Sequence, residues 1–236
     1  MKKIGIVAAL PAEARALTRD AVKDRLPIQL DAHILLCVSG IGAAAAKDAA
    51  ENLLAEGANC LLSWGIAGGL DPLLPAGTVV LAESVVSGNS DIGVDPEWRA
   101  RVLKSLDPGI TIVGGSLLDA ERPVTNAADK SALFKLNSSA CVDMESFAIA
   151  NVAAKRSVPF LIIRAIADPA ALTLPAVVFT ATDSFGRVKI LKFLTSLLFS
   201  PSQIPALLRL RNCFNAALAS LAKIAQTKTS LLYDGE

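Results

Sequence analysis

Short apolar segments that lead into glycine-rich turns are the feature that most constrains the fold of this chain. They comprise residues 4–9, 34–38 and 61–64, of which the second leads into Ser39-Gly40-Ile41-Gly42 and the third into Gly65-Ile66-Ala67-Gly68-Gly69. Residues 43–56 follow as an alanine-rich helical pattern that Gly57 ends. This alternation of short strands with helices predicts an α/β fold with a largely buried sheet.

Further elements extend the same pattern along the chain. Additional strands are predicted at residues 78–82, 110–113 and 159–166, and a helix at 145–155. Pro11 is predicted in the first turn of another helix, where its missing N–H costs nothing, and Glu13 falls in the same turn. Because ligands bind at the carboxyl ends of strands in such sheets, we expect the glycine turns and Asp168 at one edge.

Composition excludes several classes of protein. Hydrophobic residues make up 53% of the chain and charged residues 19%, which excludes a disordered polypeptide. The net charge of +1 gives no support for a nucleic-acid partner. His33 is the single histidine and the four cysteines form no CxxC pair, so no metal site is predicted. Cys37, Cys60 and Cys141 lie in or beside apolar runs and are predicted to be buried thiols rather than disulfide partners or nucleophiles.

The first residues admit two interpretations. Lys2-Lys3 and the short apolar stretch after them resemble a secretory signal, but Pro11 and the polar helical pattern that follows favour a strand, a turn and a helix. No run of about 18 uncharged apolar residues is present, so no membrane-spanning helix is predicted. We therefore expect a cytoplasmic protein.

The end of the chain differs from the rest in charge. Residues 187–228 contain seven Lys or Arg and no Asp or Glu. Apolar residues recur at helical spacing between Ile204 and Ile224, and Pro201 and Pro205 indicate a break between two helices. We predict a catalytic domain over residues 1–186 and a basic amphipathic helical extension over 187–236. The extension either packs on the domain or in an oligomer interface, or meets a lipid headgroup or an apolar substrate.

Three acidic residues lie at predicted strand ends or helix starts, where α/β folds bind their ligands. Glu13 opens the first helix, Glu145 lies at a strand-to-helix junction, and Asp168 ends the strongest strand. Carboxyl groups at such positions can donate or accept protons or stabilise a cation, and glycine turns offer backbone N–H groups to an anion. Each acid could instead serve as a helix cap or a surface charge.

The order of these segments resembles the nucleoside phosphorylase superfamily, most closely its methylthioadenosine/S-adenosylhomocysteine nucleosidase branch. The resemblance covers residues 2–170, and its specific parts are Val142-Asp143-Met144-Glu145 and Arg164-Ala165-Ile166-Ala167-Asp168. It implies a three-layer α/β/α fold with a central mixed sheet, and cleavage of the N-glycosidic bond of a purine nucleoside. Relatives of this kind form dimers or larger assemblies, so a homo-oligomer is expected.

The resemblance also implies roles for individual residues. Asp168 would protonate the purine at N7, and Glu145 would bind the ribose hydroxyls and stabilise the cationic sugar, with Met144 packed on the ribose. Glu13 would activate the attacking water. The nucleophile side would be lined by the backbone of two segments, namely Ser39, Gly40 and Gly42 of the first and Gly65, Ala67 and Gly68 of the second. Arg164 would either contact the substrate or serve as a structural charge of the strand.

Departures from the nucleosidase pattern point to a narrower relative. Ala167 replaces the usual serine, and residues 117–123 contain no aromatic side chain to stack on the base. The segments 164–170, Gly186-Arg187 and 203–210 resemble the hopanoid-biosynthesis-associated phosphorylases, which release adenine from adenosylhopane. A lipid attached at ribose C5′ would give the apolar, basic extension a physical purpose, including contact with a membrane surface.

The acceptor of the sugar is left open between water and phosphate. Phosphorylases of this superfamily often carry an arginine where this chain has Glu13, and a carboxylate would repel a phosphate dianion. Arg15, Arg122 and Arg164 are candidate phosphate ligands. No resident cofactor is expected, with inorganic phosphate as the alternative co-substrate. Two other functions stay open, an ordinary methylthioadenosine/S-adenosylhomocysteine nucleosidase and a non-catalytic nucleoside-binding protein.

Overall fold

A single twisted sheet organises the part of the chain that is described, which comprises residues 3–175, 183–185 and 203–226 of a computed structural model. Its eleven described strands are β1 (Ile4–Ala8), β2 (Ile28–Gln29), β3 (Ile34–Val38), β4 (Cys60–Gly69), β5 (Val79–Leu81), β6 (Ser84–Ser87), β7 (Ser90–Gly93), β8 (Ile112–Val113), β9 (Ser116–Asp119), β10 (Cys141–Asp143) and β11 (Phe160–Asp168). The described helices are α1 (Pro11–Ala14), α2 (Ala43–Ala55), α3 (Pro96–Ser105), α4 (Ala127–Asn137), α5 (Ser146–Arg156) and α6 (Ile204–Gln226).

The centre of the sheet is formed by parallel strands. β1 lies between β3 and β4, and β11 pairs in parallel with the other edge of β4. β5 runs antiparallel to β11, and β10 runs antiparallel to the last residues of β4. The sheet is therefore mixed, as predicted. The carboxyl ends of β1, β4 and β11 meet at one edge, beside β10 and the start of α5.

Alternating side chains of the strands separate two apolar cores. Ile4 and Ile6 of β1 and Ile163 of β11 point to the side covered by α1, α3 and α6. Val7 and Ile162 point to the opposite side, where α2 and α5 pack against each other and the sheet. Burial of both faces explains why these strands are almost continuously apolar. The expected three-layer α/β/α arrangement is confirmed.

The prediction of a glycine-rich turn at Gly65–Gly69 is wrong. This segment continues β4, pairing with β11 through Arg164↔Gly65 and Ile166↔Ala67 and with β10 through Cys141↔Gly69. β11 pairs with residues 65–68 on one side, while on the other side β10 pairs with Gly68 and Gly69 and the Ile66 N–H donates to Glu13, so the segment stays extended and does not reverse the chain. Their lack of a side chain has another use, because a Cβ at Gly65 would collide with the side chains of Glu13 and Arg164.

The C-terminal helix confirms the predicted helical spacing and corrects its start. α6 is continuous from Ile204 to Gln226, and Pro205 lies in its first turn rather than at a break within it. Its second half buries Leu221 and Ile224 in the core beside β11, whereas Ile204 is 40% and Leu208 53% exposed. Pro201 and the first of the two predicted helices lie outside the described residues, so the domain boundary at 186 stays a prediction.

Two further predictions concern cysteines and membrane spans. Cys37, Cys60 and Cys141 are buried thiols, as expected. Of the helices in the described ranges, none has the length and apolarity needed to cross a bilayer.

Candidate active site

A cavity of about 220 Å³ opens at the edge where β1, β4, β10 and β11 end. Two larger surface clefts lie along α2, and neither is lined by Glu13, Glu145 or Asp168, whereas the smaller cavity brings all three together. Its lining comprises Ala9, Leu10, Glu13, Ile41, Ile66, Ala67, Gly68, Ala120, Arg122, Pro123, Val124, Val142, Asp143, Met144, Glu145, Asp168 and Leu174. Three carboxyl groups that are far apart in the sequence therefore share one mostly apolar space.

Glu13 is held rigidly at the start of α1. Its Oε1 accepts a hydrogen bond from the Ile66 N–H at 2.9 Å, and its Oε2 accepts one from the Leu10 N–H at 2.8 Å. Burial raises the pKa of the Glu13 carboxyl, and the nearby Arg164 guanidinium and these backbone donors partly oppose the rise. A carboxyl with both oxygens fixed and a raised pKa is suited to accept a proton from a bound nucleophile.

Glu145 lies at the junction between β10 and α5, where the chain turns into the cavity. Its Oε1 accepts a hydrogen bond from the Gly42 N–H at 2.8 Å, which links it to the start of α2. Burial and the neighbouring Asp143 raise the pKa of the Glu145 carboxyl to about 7, against the opposing effect of Arg164. Met144 precedes it and also lines the cavity.

Asp168 ends β11 and forms an ion pair that the sequence does not suggest. Its Oδ2 lies 2.6 Å from Nζ of Lys130 on α4. Burial raises the pKa of the Asp168 carboxyl, and Lys130 acts in the opposite direction. The net rise makes this carboxyl easier to protonate than an ordinary aspartate, which suits a general acid.

Arg164 lies close to Glu13 and Glu145 but does not line the cavity. Its Nη2 contacts Asp143 Oδ2 at 2.6 Å and donates to the hydroxyl oxygens of Ser63 and Ser146. Asp143 Oδ1 in turn accepts from the backbone N–H groups of Glu145 and Ser146. Arg164 and Asp143 thus fix the turn that presents Glu145, and the Arg164 charge offsets part of the repulsion among the buried carboxylates.

The other residues predicted for substrate binding fall into two groups. Met144, Ala67 and Gly68 line the cavity. The rest do not line it. Ser39 is buried and donates to backbone carbonyls, Gly40 leaves room for Phe185, Gly42 donates to Glu145, and Gly65 leaves room for Glu13 and Arg164.

Several residues of the site were not predicted from the sequence. Lys130 and the paired hydroxyl groups of Ser63 and Ser146 carry no local signal, because their partners are distant in the chain. Residues 117–123, expected beside the base, do contribute Ala120, Arg122 and Pro123 to the lining. Val124 and Leu174 add aliphatic surface, and none of the described lining residues is aromatic.

Replacement of Glu145 by glutamine is expected to remove a pH dependence of stability. The pKa of Glu145 is about 7 in the folded protein and 4.5 as its ordinary value, so the folded state holds the extra proton between these values. Stability therefore falls as the pH rises from 4.5 to 7, by about 3 kcal/mol for this group. Glu145→Gln lacks this contribution. The unfolding free energy of the variant minus that of the wild type should therefore increase as the pH rises from 4.5 to 7.

Urea unfolding at several pH values between 4 and 8 measures that difference. Glu121→Gln is the matched control, because Glu121 is an exposed residue close to the same edge. Parallel stability profiles for wild type and Glu145→Gln would contradict the raised pKa.

A mixed sheet between two helical layers, with the carboxyl groups of Glu13, Asp143, Glu145 and Asp168 around one cavity at its carboxyl edge, defines an enzyme equipped for acid–base chemistry. The chain belongs to the phosphorylase superfamily, whose family model matches residues 3–191. The predictions of this superfamily, of its nucleosidase-like branch and of a nucleoside-cleaving enzyme are confirmed. The closer relation to the hopanoid-associated members stays a prediction.

Individual relatives agree with this placement. The 5′-methylthioadenosine/S-adenosylhomocysteine nucleosidase of Mycobacterium tuberculosis is 28% identical over 219 residues, which span 70% of this chain and 85% of the relative. The Neisseria meningitidis nucleosidase, solved with methylthio-immucillin-A, aligns with a TM-score of 0.71 at 19% identity, covering 98% of this chain and 100% of its own. Futalosine hydrolase of Helicobacter pylori aligns with a TM-score of 0.68 at 19% identity, covering 98% and 97%.

Proposed function

We propose that this enzyme hydrolyses the N-glycosidic bond of an adenosine-type nucleoside and releases adenine, and that its substrate is adenosylhopane. The observation that carries the hydrolysis is the convergence of Glu13, Glu145 and Asp168 on one cavity from three separate elements. Each of these carboxyl groups has a raised pKa and a different set of fixed partners. Because their environments differ, the three carboxyl groups are suited to different roles in the reaction.

Asp168 serves the leaving base. Breaking the bond between C1′ and N9 leaves an electron pair on the purine, and protonation at N7 neutralises the charge that would otherwise develop. Asp168 lines the cavity, and burial raises the pKa of its carboxyl, so Asp168 takes up a proton for this transfer more readily than an exposed aspartate would. Val124 and Leu174 provide apolar contact for the purine in place of an aromatic ring.

Glu145 and Met144 serve the sugar. As C1′ loses the base, positive charge develops on the ribose, and an ionised carboxylate beside it stabilises that charge. The Gly42 N–H holds Oε1 of Glu145 in place, and Met144 supplies an apolar surface next to it. A pKa of about 7 leaves Glu145 partly ionised near neutral pH, and a developing cation favours the ionised form.

Glu13 serves the nucleophile, which we take to be water. Water attacks C1′ and passes a proton to Glu13 while the base departs with the proton of Asp168, so the products are adenine and a free sugar. A phosphate dianion would meet the buried carboxylates of Glu13 and Glu145 in the same cavity. Of the arginines proposed as phosphate ligands, Arg15 and Arg164 do not line the cavity, and Arg122 is exposed at its rim.

The lipid-linked substrate is supported by the first half of α6. Ile204 and Leu208 expose apolar surface there, and Arg209 and Arg211 are exposed beside them. A combination of apolar and basic side chains suits contact with a membrane surface, from which a lipid-linked nucleoside could be drawn. The alternative substrate is methylthioadenosine or S-adenosylhomocysteine, which the similarity to the mycobacterial nucleosidase favours.

Adenine release from adenosylhopane and from methylthioadenosine, with and without phosphate, tests both parts of the proposal. We expect kcat/KM to be higher for adenosylhopane and unchanged by phosphate, with free ribose-type sugar as the product. An absolute requirement for phosphate, or a sugar 1-phosphate product, would reject hydrolysis. Faster turnover of methylthioadenosine would reject the lipid-linked substrate and support the nucleosidase alternative.

A further inference from the structure

Lys130 is the most completely buried lysine among the described residues, and it lies outside every motif that the sequence suggests. Its exposed fraction is 0%, although it belongs to α4, where Asp129, Ser131 and Lys135 are exposed. Removing an ammonium group from water is costly unless it is fully paired. The groups that pair with Lys130 must therefore offset the cost of burying its ammonium.

All partners of the Lys130 ammonium belong to the last residue of β11 and the turn that follows it. Nζ donates to the backbone carbonyls of Asp168, Pro169 and Leu172 at 3.0, 3.2 and 3.1 Å, and it pairs with Asp168 Oδ2 at 2.6 Å. The same turn is attached to the start of α4 by a hydrogen bond from the Leu174 N–H to the Thr125 carbonyl. One buried cation thus organises the segment that carries the proposed general acid.

We infer that Lys130 is a positioning residue for Asp168: it holds Oδ2, directs Oδ1 toward the cavity, and stabilises the carboxylate that forms when Asp168 gives its proton to the base. This inference rests on the proposed function for its kinetic consequence only. Asp168 Oδ1 accepts no hydrogen bond from the described residues, and both carboxyl oxygens lie over Gly68 of the cavity wall. The ion pair fixes one oxygen and leaves the other for substrate.

The Lys130 charge sets the direction of the expected pH effect. Lys130 lowers the pKa of Asp168 against the larger effect of burial. Without the ammonium, Asp168 should hold its proton to a higher pH and release it less readily to the base. Other charged groups around the same cavity are unaltered by the substitution, namely Glu13 on α1, Asp143 and Glu145 before α5, and Arg122 before α4.

The test compares wild type with Lys130→Met and Lys130→Gln. The proton on Asp168 is followed by infrared spectroscopy of its carboxyl band, which is assigned by its disappearance in Asp168→Asn. In both variants we expect the titration midpoint of that band to rise by one pH unit or more, because the charge is absent. The alkaline limb of kcat/KM for adenine release should move in the same direction, and kcat/KM should fall about 100-fold.

Lys135→Met is the matched control, because Lys135 lies on the same helix and is exposed. It should leave the band, the pH profile and the rate unchanged. Lys130→Gln retains a hydrogen-bond donor, so it provides a folded variant if Lys130→Met does not fold. Lower thermal stability of the Lys130 variants with an unchanged Asp168 midpoint and alkaline limb would overturn the inference, since Lys130 would then be only structural. A raised midpoint without adenine release by the wild type would uphold the pairing while rejecting the proposed function.

Discussion

Asp168→Asn is expected to reduce adenine release by about 10²–10⁴-fold, the usual contribution of a positioned general acid. Asparagine has almost the same shape as aspartate but carries no proton that it can transfer to N7 of the base. Its amide oxygen can still accept a hydrogen bond from Lys130, whose three bonds to backbone carbonyls remain. The turn after β11 should therefore persist in a folded variant that is less stable, because the buried Lys130 loses its anionic partner, and the loss in kcat should be the larger effect.

Steady-state adenine release and thermal unfolding, measured on the same preparations, separate these two effects. Asp107→Asn is the matched control, because Asp107 is an exposed loop residue remote from the cavity and its side chain accepts a bond from the Gly109 N–H that asparagine can also accept. A folded Asp168→Asn enzyme with full activity would remove Asp168 from the role of proton donor.

The sequence predicts the central strands well, because burial on both faces makes them continuously apolar. β1 and β3 appear at almost the predicted residues, and α2 ends beside Gly57 as expected. The error at Gly65–Gly69 has a physical origin. Glycine is common in turns, but it is also common in strands where a side chain would collide with a neighbour. The strand position of Gly65 follows only from the three-dimensional positions of Glu13 and Arg164, which leave no room for a side chain there.

In the candidate site, too, the sequence indicates some residues from their local position and cannot indicate others, whose partners are distant in the chain. Glu13, Glu145 and Asp168 lie at ends of elements, and positions of that kind are recognisable in a sequence. Their partners are not recognisable, because Lys130 is 38 residues from Asp168 and Ser63 is 101 residues from Arg164. Only the packing of α4 against the turn after β11, and of α5 over β4 and β11, brings these pairs together.

Arg164→Met is expected to destabilise the protein by about 3–5 kcal/mol at neutral pH, the usual cost of breaking a buried ion pair from one side. For a chain of this size that corresponds to a decrease in Tm of about 6–20 °C. Methionine fills much of the same space but leaves Asp143 without its cationic partner, and it removes the charge that opposes the raised pKa of Glu13 and Glu145. Adenine release should fall as well, because Asp143 fixes the turn that carries Glu145.

The destabilisation should depend on pH with a definite sign. Because Arg164 lowers the pKa of both Glu13 and Glu145, its removal raises their folded-state values further above the ordinary 4.5. A carboxyl group whose folded pKa is raised loses stability as the pH increases through that range, so the deficit of the variant should be larger at pH 8 than at pH 5. Urea unfolding at the two pH values measures this difference, and an equal deficit at both would contradict the electrostatic explanation.

A double-mutant cycle distinguishes the missing ion pair from simple loss of packing. Asp143→Asn combined with Arg164→Met removes the carboxylate that the single variant leaves buried without a cation, so the double variant should be more stable than the sum of the two single changes predicts. Arg156→Met is the control for loss of an arginine, because Arg156 is exposed at the end of α5. Additive effects in the cycle would mean that Arg164 stabilises β11 through its packing alone, and that its charge does not help to hold Glu13, Asp143 and Glu145 together.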